Sequence, residues 1–500
     1  MSLQSSRAVL LAAFLMGAAA TLGPRPALAE SATSEGAKTL AQSLIPYFGQ
    51  SAFDHGLITV TPKGEAYELR FDLQGIVDGF GVPKGIVEID AFSYLVAPLP
   101  EGRWKVSLDS YPNFIVRVPN LQGGGDDVVS VSAGGRAFEG IYDPKLAAFL
   151  SGTDKIARIE EKIHGPHSDG DASITDMGMR LEGKGLPDGS ASGKVEGIAG
   201  HFKEKIDLKE GAKPNSPPSA PINIPTGTVD LGPLTFEASF EATRSKEILD
   251  IIPFFAAHLG KQELIAHQDE LKDKILAALP LFKSVDLTAK VENLAVDASF
   301  GHFGVKSLIE SIHQTGFVAQ EATELGFTIE GLSLPQGLVP DWAIPLVPSA
   351  ADLKIKFEMK DFDKITHAAL ANLDLRPDQT SDPAKLATLT AMAMGSEPKL
   401  TLAPGHLSSP SLELYYHGDM ALLPQPAGTL TLEAEGLDKT IKRLQDAAKS
   451  DPELQQAVLG LNVAKGLAKP GANGRSVWVI GYAGGAVSVN GQKMGPPAKP

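Results

Sequence analysis

Two stretches of the chain carry the same change of hydrophobic period. In Lys354–Leu373, Ile355, Phe357 and Met359 alternate with Lys354, Lys356, Glu358 and Lys360. In Thr429–Ala448, Leu430, Leu432 and Ala434 alternate with Thr429, Thr431, Glu433 and Glu435. A period of two puts the apolar side chains on one face of a strand and the polar ones on the other. Each run then turns helical in spacing, through Phe362, Ile365, Ala369 and Leu373 in the first and Leu437, Ile441, Leu444 and Ala448 in the second. The repeated unit is a half-exposed strand running into an amphipathic helix.

The same reading predicts elements along the rest of the chain. Ser34–Phe48 has helical spacing and ends at Gly49. Alternating strands follow, among them Tyr67–Leu73, Trp104–Leu108 and Phe114–Val118, separated by Gly- and Pro-containing turns. Pro144–Leu150 and Lys155–Ile163 read as short helices, and strands resume at Ile174–Leu181 and Lys194–Leu208. Lys246–Leu259, apolar on most of its circumference, reads as a buried helix, and Glu263–Leu279 as an amphipathic one. Val285–Val291 alternates, and Val305–His313 takes helical spacing. Ser476–Tyr482 and Ala486–Val489 flank Gly484-Gly485, which suits a tight hairpin, and Asn490-Gly491 ends the last strand. The Pro-rich tail beyond it reads as disordered.

These elements predict an α+β fold: an extended antiparallel meander with amphipathic helices packed on one face and repeated strand-then-helix units. Pro214, Pro217, Pro218, Pro221 and Pro225 fall within 209–226 and favour an extended linker. That divides the chain into a β-rich domain over 30–208 and an α+β domain over 227–495. The alternative is a long surface loop inside one domain.

The first 29 residues change the picture of where the protein works. Arg7, the apolar run Ala8–Leu22 and Ala27-Leu28-Ala29 have the order of a secretory signal cleaved after Ala29. An uncleaved anchor is the alternative. No later stretch has the roughly 18 apolar residues of a membrane span. The expected product is a periplasmic protein. Removing Arg7 and Arg25, and no acidic residue, takes the net charge from −15 to −17. Such a chain without a basic block has no footprint for nucleic acid. It has no cysteine, so disulfides, zinc–thiolate sites and cysteine nucleophiles are excluded, and buried apolar surface alone must hold the fold.

Candidate chemistry is sparse. His164, His167, Asp169 and Asp171 share one short segment and are the only cluster of potential metal ligands; a turn uses the same Gly, Pro, Ser and Asp. Ser396-Glu397-Pro398-Lys399 fits S-x-x-K, but Pro398 breaks the helical turn that would return Lys399 to Ser396. Asp363/Lys364 and Asp438/Lys439 stand at helix starts, where an acid complements the helix dipole. No H-E-x-x-H, G-x-S-x-G or phosphate-binding glycine motif is present, and no cofactor is expected.

The export signal, the strand-to-helix units and the closing Val487-Ser488-Val489-Asn490-Gly491 resemble a bacterial periplasmic family close in style to the YdgA-like proteins. A looser similarity runs to the AsmA-like envelope proteins. The resemblance implies long curved antiparallel sheets and carries no active-site residue across. By analogy, a curved sheet with a helix-covered apolar face could hold an acyl chain. The leading expectation is a non-enzymatic periplasmic binder of a lipid or other envelope component. The alternatives are a metal-dependent hydrolase using the 164–171 segment, and a structural partner for an envelope protein.

Overall fold

A computed structural model describes residues 32–79, 81–119, 124–209, 226–258, 260–299, 301–376 and 383–494. The expected signal, most of the 209–226 linker and the Pro-rich tail fall outside the described residues. Of the described residues, 50% are strand and 26% helix. The expected α+β arrangement is therefore corrected to a mostly-β protein, whose helices are few and short. Contacts divide the chain into two units, one ending at Ser284 and including 373–379, the other holding the remainder.

In the first unit, β1 (Ile58–Lys63), β2 (Ala66–Phe71), β3 (Val87–Ile89), β4 (Phe92–Pro98), β5 (Trp104–Leu108) and β6 (Phe114–Pro119) are short. Then come β7 (Asp126–Asp143), β8 (Ala148–His164), β9 (Ser168–Gly185), β10 (Ala191–Ala199) and β11 (His201–Leu208). After the 209–226 segment come β12 (Gly227–Leu231) and β13 (Leu234–Thr243). Pairing is antiparallel along β1-β2-β4-β5-β7-β8-β9, and β9 pairs with both β10 and β11. The strands on either side of the 209–226 segment also pair, β11 with β12 and β10 with β13. The expected domain boundary thus falls within this unit.

The main core lies where helix α1 (Ser34–Phe48) meets β1, β2, β4, β5 and β7. Thr33 Oγ1 accepts from Gly36 N at 3.0 Å to cap the helix, and Gly49, at φ 80°, ends it where its sequence predicts. Leu44 and Val106 are fully buried, and Ala37, Leu40, Leu69 and Tyr142 are nearly so. A fully buried side chain of this kind is worth about 1.5–3 kcal/mol.

Two expected helices are strand instead. Lys155–Ile163 lies inside β8 and Val305–His313 inside a strand of the second unit. Of Pro144–Leu150, the first part is the turn between β7 and β8 and the rest opens β8. The long strands here have a crease, with Gly135 at φ 64° in β7 and Asp176 at φ 53° in β9. In β8 the alternation breaks at the same level: Ile156 is buried, Ala157 and Arg158 are both exposed, and Ile159 is half-buried. A left-handed residue in a strand returns the next side chain to the face it has just left.

Further helices of this unit are α2 (Gln50–Asp54), α3 (Leu73–Gly79), α4 (Ser245–Leu249) and α5 (Ile251–Ala257). They are followed by α6 (Lys261–Ala266) and α7 (Gln268–Ala278). The expected buried helix 246–259 is split at Asp250, and although Phe254 is buried, Ile252 and Phe255 stay 44% and 45% exposed.

The second unit holds β14 (Ser284–Ala298), β15 (Gly301–Thr315), β16 (Gln320–Glu330) and β17 (Ala350–Lys360). The helices α8 (Phe362–Ala371) and α9 (Pro383–Gly395) precede β18 (Lys399–Ser408), β19 (Glu413–Ala421) and β20 (Ala427–Glu435). Next come α10 (Leu437–Ala447), α11 (Leu454–Leu467), β21 (Lys469–Pro470), β22 (Ser476–Ala483), β23 (Ala486–Val489) and β24 (Gln492–Lys493). Antiparallel pairing runs unbroken from β15 through β20 to β22 and β23. Both strand-to-helix units fold as read, β17 into α8 and β20 into α10. Each pivots on one left-handed residue, Asp361 at φ 54° and Gly436 at φ 83°. Gly484 and Gly485, both at positive φ, make the expected two-residue hairpin. Asn490-Gly491 makes another, so the short β24 follows what reads as the last strand. No helix among the described residues is long and apolar enough to cross a membrane, which says nothing of β-barrels.

Candidate functional site

The four potential metal ligands lie in and beside the hairpin between β8 and β9, and only His164 and Asp169 are brought together. His164 is the last residue of β8 and lies opposite Asp169 in the register. Its Nδ1 stands 2.6 Å from Asp169 Oδ1. Lys209 Nζ reaches the same oxygen at 3.0 Å and donates to the Gly165 carbonyl at 2.7 Å. The Lys209 ammonium, ahead of His164, holds the Asp169 carboxyl below the usual carboxylate range. Lys209 N donates to the His167 carbonyl at 2.9 Å, and Asp171 lies in register between Lys162 and Lys205. The cluster clips the start of the 209–226 segment to the hairpin. Lys209 takes the place a metal would need, and among the described residues no three His, Asp or Glu side chains are grouped to hold one.

The S-x-x-K stretch is a structural corner. Ser396 is fully buried, its Oγ donates to the Ala393 carbonyl at 2.7 Å, and its own carbonyl accepts from Lys360 N at 2.9 Å. Lys399 opens β18 beyond Glu397, which sits at φ 48°. Asp363 and Asp438 occupy the first turns of α8 and α10, and Asp438 pairs with Lys465.

The feature that stands out is one face of the large antiparallel sheet, in the part that belongs to the second unit. Reading across the register, Ile355 of β17 faces Leu325 of β16 and Leu402 of β18, and the row continues through Gly418 and Leu430 to Ile480. The neighbouring row joins Phe357, Leu400, Met420, Gly428 and Tyr482. A register shift in β18 between Leu402 and Gly405 moves its later apolar residue, Leu407, into line with Ala351 and Leu414. The opposite face is charged, with Lys354 at 3.3 Å from Glu324 and Lys356 at 2.8 Å from Glu358.

This apolar face is partly open. Leu325 is 52% exposed, Phe327 43%, Tyr482 38%, and Leu353 and Leu400 37% each. Spaced by about 4.8 Å and rising about 3.3 Å per residue, the six strands these rows cross have, over about eight residues, a footprint of roughly 750 Å². A helix of α10's length covers roughly 160 Å², from about 1.5 Å rise per residue and about 10 Å width. α10 spends that cover on one end, packing Leu437 and Ile441 with Ala434, Leu412 and Trp478. The expected helix cover thus leaves Leu325, Phe327, Leu353, Leu400 and Tyr482 of this face open to solvent. Strict alternation in 353–359 and 428–432 is the sequence signal for it; what the pattern omits is whether anything lies on top.

Comparison with protein-family models, with curated proteins and with solved structures finds no match to this chain.

Proposed function

We propose that the protein is an exported, non-enzymatic component of a bacterial envelope that binds acyl chains of a lipid on its apolar sheet face. One observation carries the reading: large aliphatic and aromatic side chains on one continuous face stay up to half exposed. The largest apolar patch on a typical monomer is about 300–600 Å² and is often functional. The footprint of the sheet face is of at least this order. An acyl chain suits such a face because it bends with the strand twist and asks for no hydrogen bond. The signal-like N-terminus and the resemblance to AsmA-like envelope proteins point the same way.

Native mass spectrometry of the mature protein, purified from its own envelope without detergent and followed by organic extraction, tests this. A stoichiometric co-purifying lipid is expected. A ligand-free mass with no lipid in the extract would refute the reading and favour a protein partner. The same spectrum reads cleavage after Ala29.

A further inference from the structure

The apolar face of the second unit has a carboxylate set into it. β16 and β17 pair without a shift from Gln320 to Glu330. A period of two therefore places Glu321, Thr323, Leu325 and Phe327 on one side of β16, with Met359 directly opposite Glu321. Exposure falls along that row: Leu325 and Phe327 are 52% and 43% exposed, and Glu321 is 7% exposed. Thr323 Oγ1 donates to Glu321 Oε1 at 2.7 Å. Glu321 Oε2 is buried too, and no donor among the described residues reaches it. Glu324, on the charged side of the same strand, has Lys354 at 3.3 Å. The neighbouring lysines are engaged in the same way, Lys356 by Glu358 and Lys360 by Glu397. A second buried oxygen without a donor, Asp363 Oδ1, stands in the first turn of α8, just past the end of β17.

We propose that Glu321 receives the head group of the bound lipid and that this head is a primary ammonium: its N–H groups donate to Glu321 Oε2 while the chain runs along Leu325 and Phe327. The assignment rests on the lipid-binding reading of this same face and adds the chemistry of the ligand's polar end. A buried carboxylate oxygen without a donor is penalised by the water it has lost. A ligand that brings a donor recovers that penalty on binding, and a bare hydrocarbon does not. Charge then selects among donors. A carboxylate, in a chain of net charge −15, favours a cationic head over a phosphate or a fatty-acid carboxylate. Reach agrees with this: Glu321 and Phe327 are six residues apart, roughly 20 Å along the strand. That is enough for a chain that fills half of a roughly 30 Å bilayer core. Met359, half-buried and directly opposite, has the unbranched side chain best able to make room for the head.

The test is displacement of Nile red, a neutral apolar dye, from the mature chain at neutral pH by dodecylamine and by dodecyltrimethylammonium. The two share a chain and a charge, and only the first has N–H donors. The parent is expected to prefer dodecylamine roughly tenfold, the scale of one hydrogen bond to a charged group. Glu321→Gln, isosteric and neutral, is expected to lose most of that preference. Glu324→Gln, on the charged side, should keep it. A parent that does not distinguish the two amphiphiles, or a Glu321→Gln protein that still does, overturns the head-group site and leaves the lipid-binding reading standing. Failure of the parent to take up Nile red or either amphiphile refutes the lipid-binding reading, and the head-group site with it. Thermal melts confirm that each variant is folded. Glu321→Asp, one methylene shorter, takes the place of Glu321→Gln if the latter does not fold, and is read by the same outcomes.

Discussion

If the exposed apolar face of the sheet in the second unit exists for a ligand, removing apolar atoms from it will weaken binding about as much as folding. Leu325→Thr/Phe327→Thr is the sharpest perturbation. The two side chains sit on the same face of β16, opposite Ile355 and Leu353. Threonine brings a branched β-carbon, which strands favour, so the ladder survives. Full burial of a leucine or phenylalanine is worth about 1.5–3 kcal/mol. With 52% and 43% still exposed, about half of that is spent on folding and half remains for a ligand. Each change then costs about 1 kcal/mol of stability and about 1 kcal/mol of binding. Together the binding loss is about 2 kcal/mol, or roughly 30-fold at about 1.4 kcal/mol per tenfold. The residues are neighbours, so the sum carries some coupling. Urea denaturation and Nile red titration read the two effects separately. A stability loss above about 4 kcal/mol, the signature of a closed core, would refute the open face, and an unchanged dye affinity would refute its role in binding.

The true core should behave differently. Leu44→Ala, at a fully buried position where α1 meets the sheet, is expected to lose about 2–5 kcal/mol by urea denaturation. Gly436→Ala is expected to lose more than about 2 kcal/mol, because a left-handed residue with a Cβ costs about 1–2 kcal/mol and this Cβ would stand 2.4 Å from the Ser411 carbonyl oxygen. Asp361→Gly, at the equivalent pivot, should stay within about 1 kcal/mol, as relief of the φ 54° strain offsets added chain entropy and the lost Lys364 contact. Burial raises the Glu161 and Glu204 carboxyls above the ordinary glutamate range in the folded state, so both contribute stability below that range and lose it as pH rises through their raised values. Glu161→Gln/Glu204→Gln should therefore melt near the parent below about pH 4 and increasingly above it as the pH rises towards 8. His164→Ala/His167→Ala should melt within about 0.5 kcal/mol of the parent, with no shift on adding excess zinc, since Lys209 already occupies Asp169; a zinc-dependent rise lost in the variant would restore the metal reading.

The repeat units were legible because each part signals itself. Strict alternation marks β17 and β20, and the change of spacing after Lys360 and Glu435 marks where each helix begins. Equivalent positions in the two copies even share the unusual backbone, yet only Gly436 advertises it; Asp361 adopts the same conformation with an ordinary-looking residue. The two differ because the Ser411 carbonyl crowds position 436, a contact between distant residues that no local pattern encodes. Burial was less legible than periodicity. Ile252 and Phe255 sit in a run apolar enough to predict a covered helix, and both are exposed. Hydrophobic spacing states which way a side chain points, and the cover on that side is a property of the rest of the chain.

The two helices that turned out to be strands share one cause. Ile156, Ile159 and Ile163 are spaced three and four apart, and so are Val305, Leu308 and Ile312; that spacing is the signature of a helix face. In β8 the step of three comes from the crease, not from a helical turn. A flat strand with apolar residues at 156 and 159 would place them on opposite faces. Where neighbouring strands carry left-handed residues at Gly135 and Asp176, the parity of all of them shifts together, so Ile156 and Ile159 serve one continuous face. The same logic puts Met177 and Ile174 of β9 three apart, each in register with its β8 partner, Ile156 with Met177 and Ile159 with Ile174. A correlated three-residue step in adjacent strands is therefore evidence for a bent sheet, and a single strand read alone cannot supply it. The bend also explains why Glu161 and Glu204 were passed over: helical spacing sends Glu161 to the solvent side, whereas the corrected parity sets it in one row with Ala172 and Glu204, between the rows of Ile159 and Ile163. The residues with the most unusual surroundings in the first unit become visible once the crease is placed.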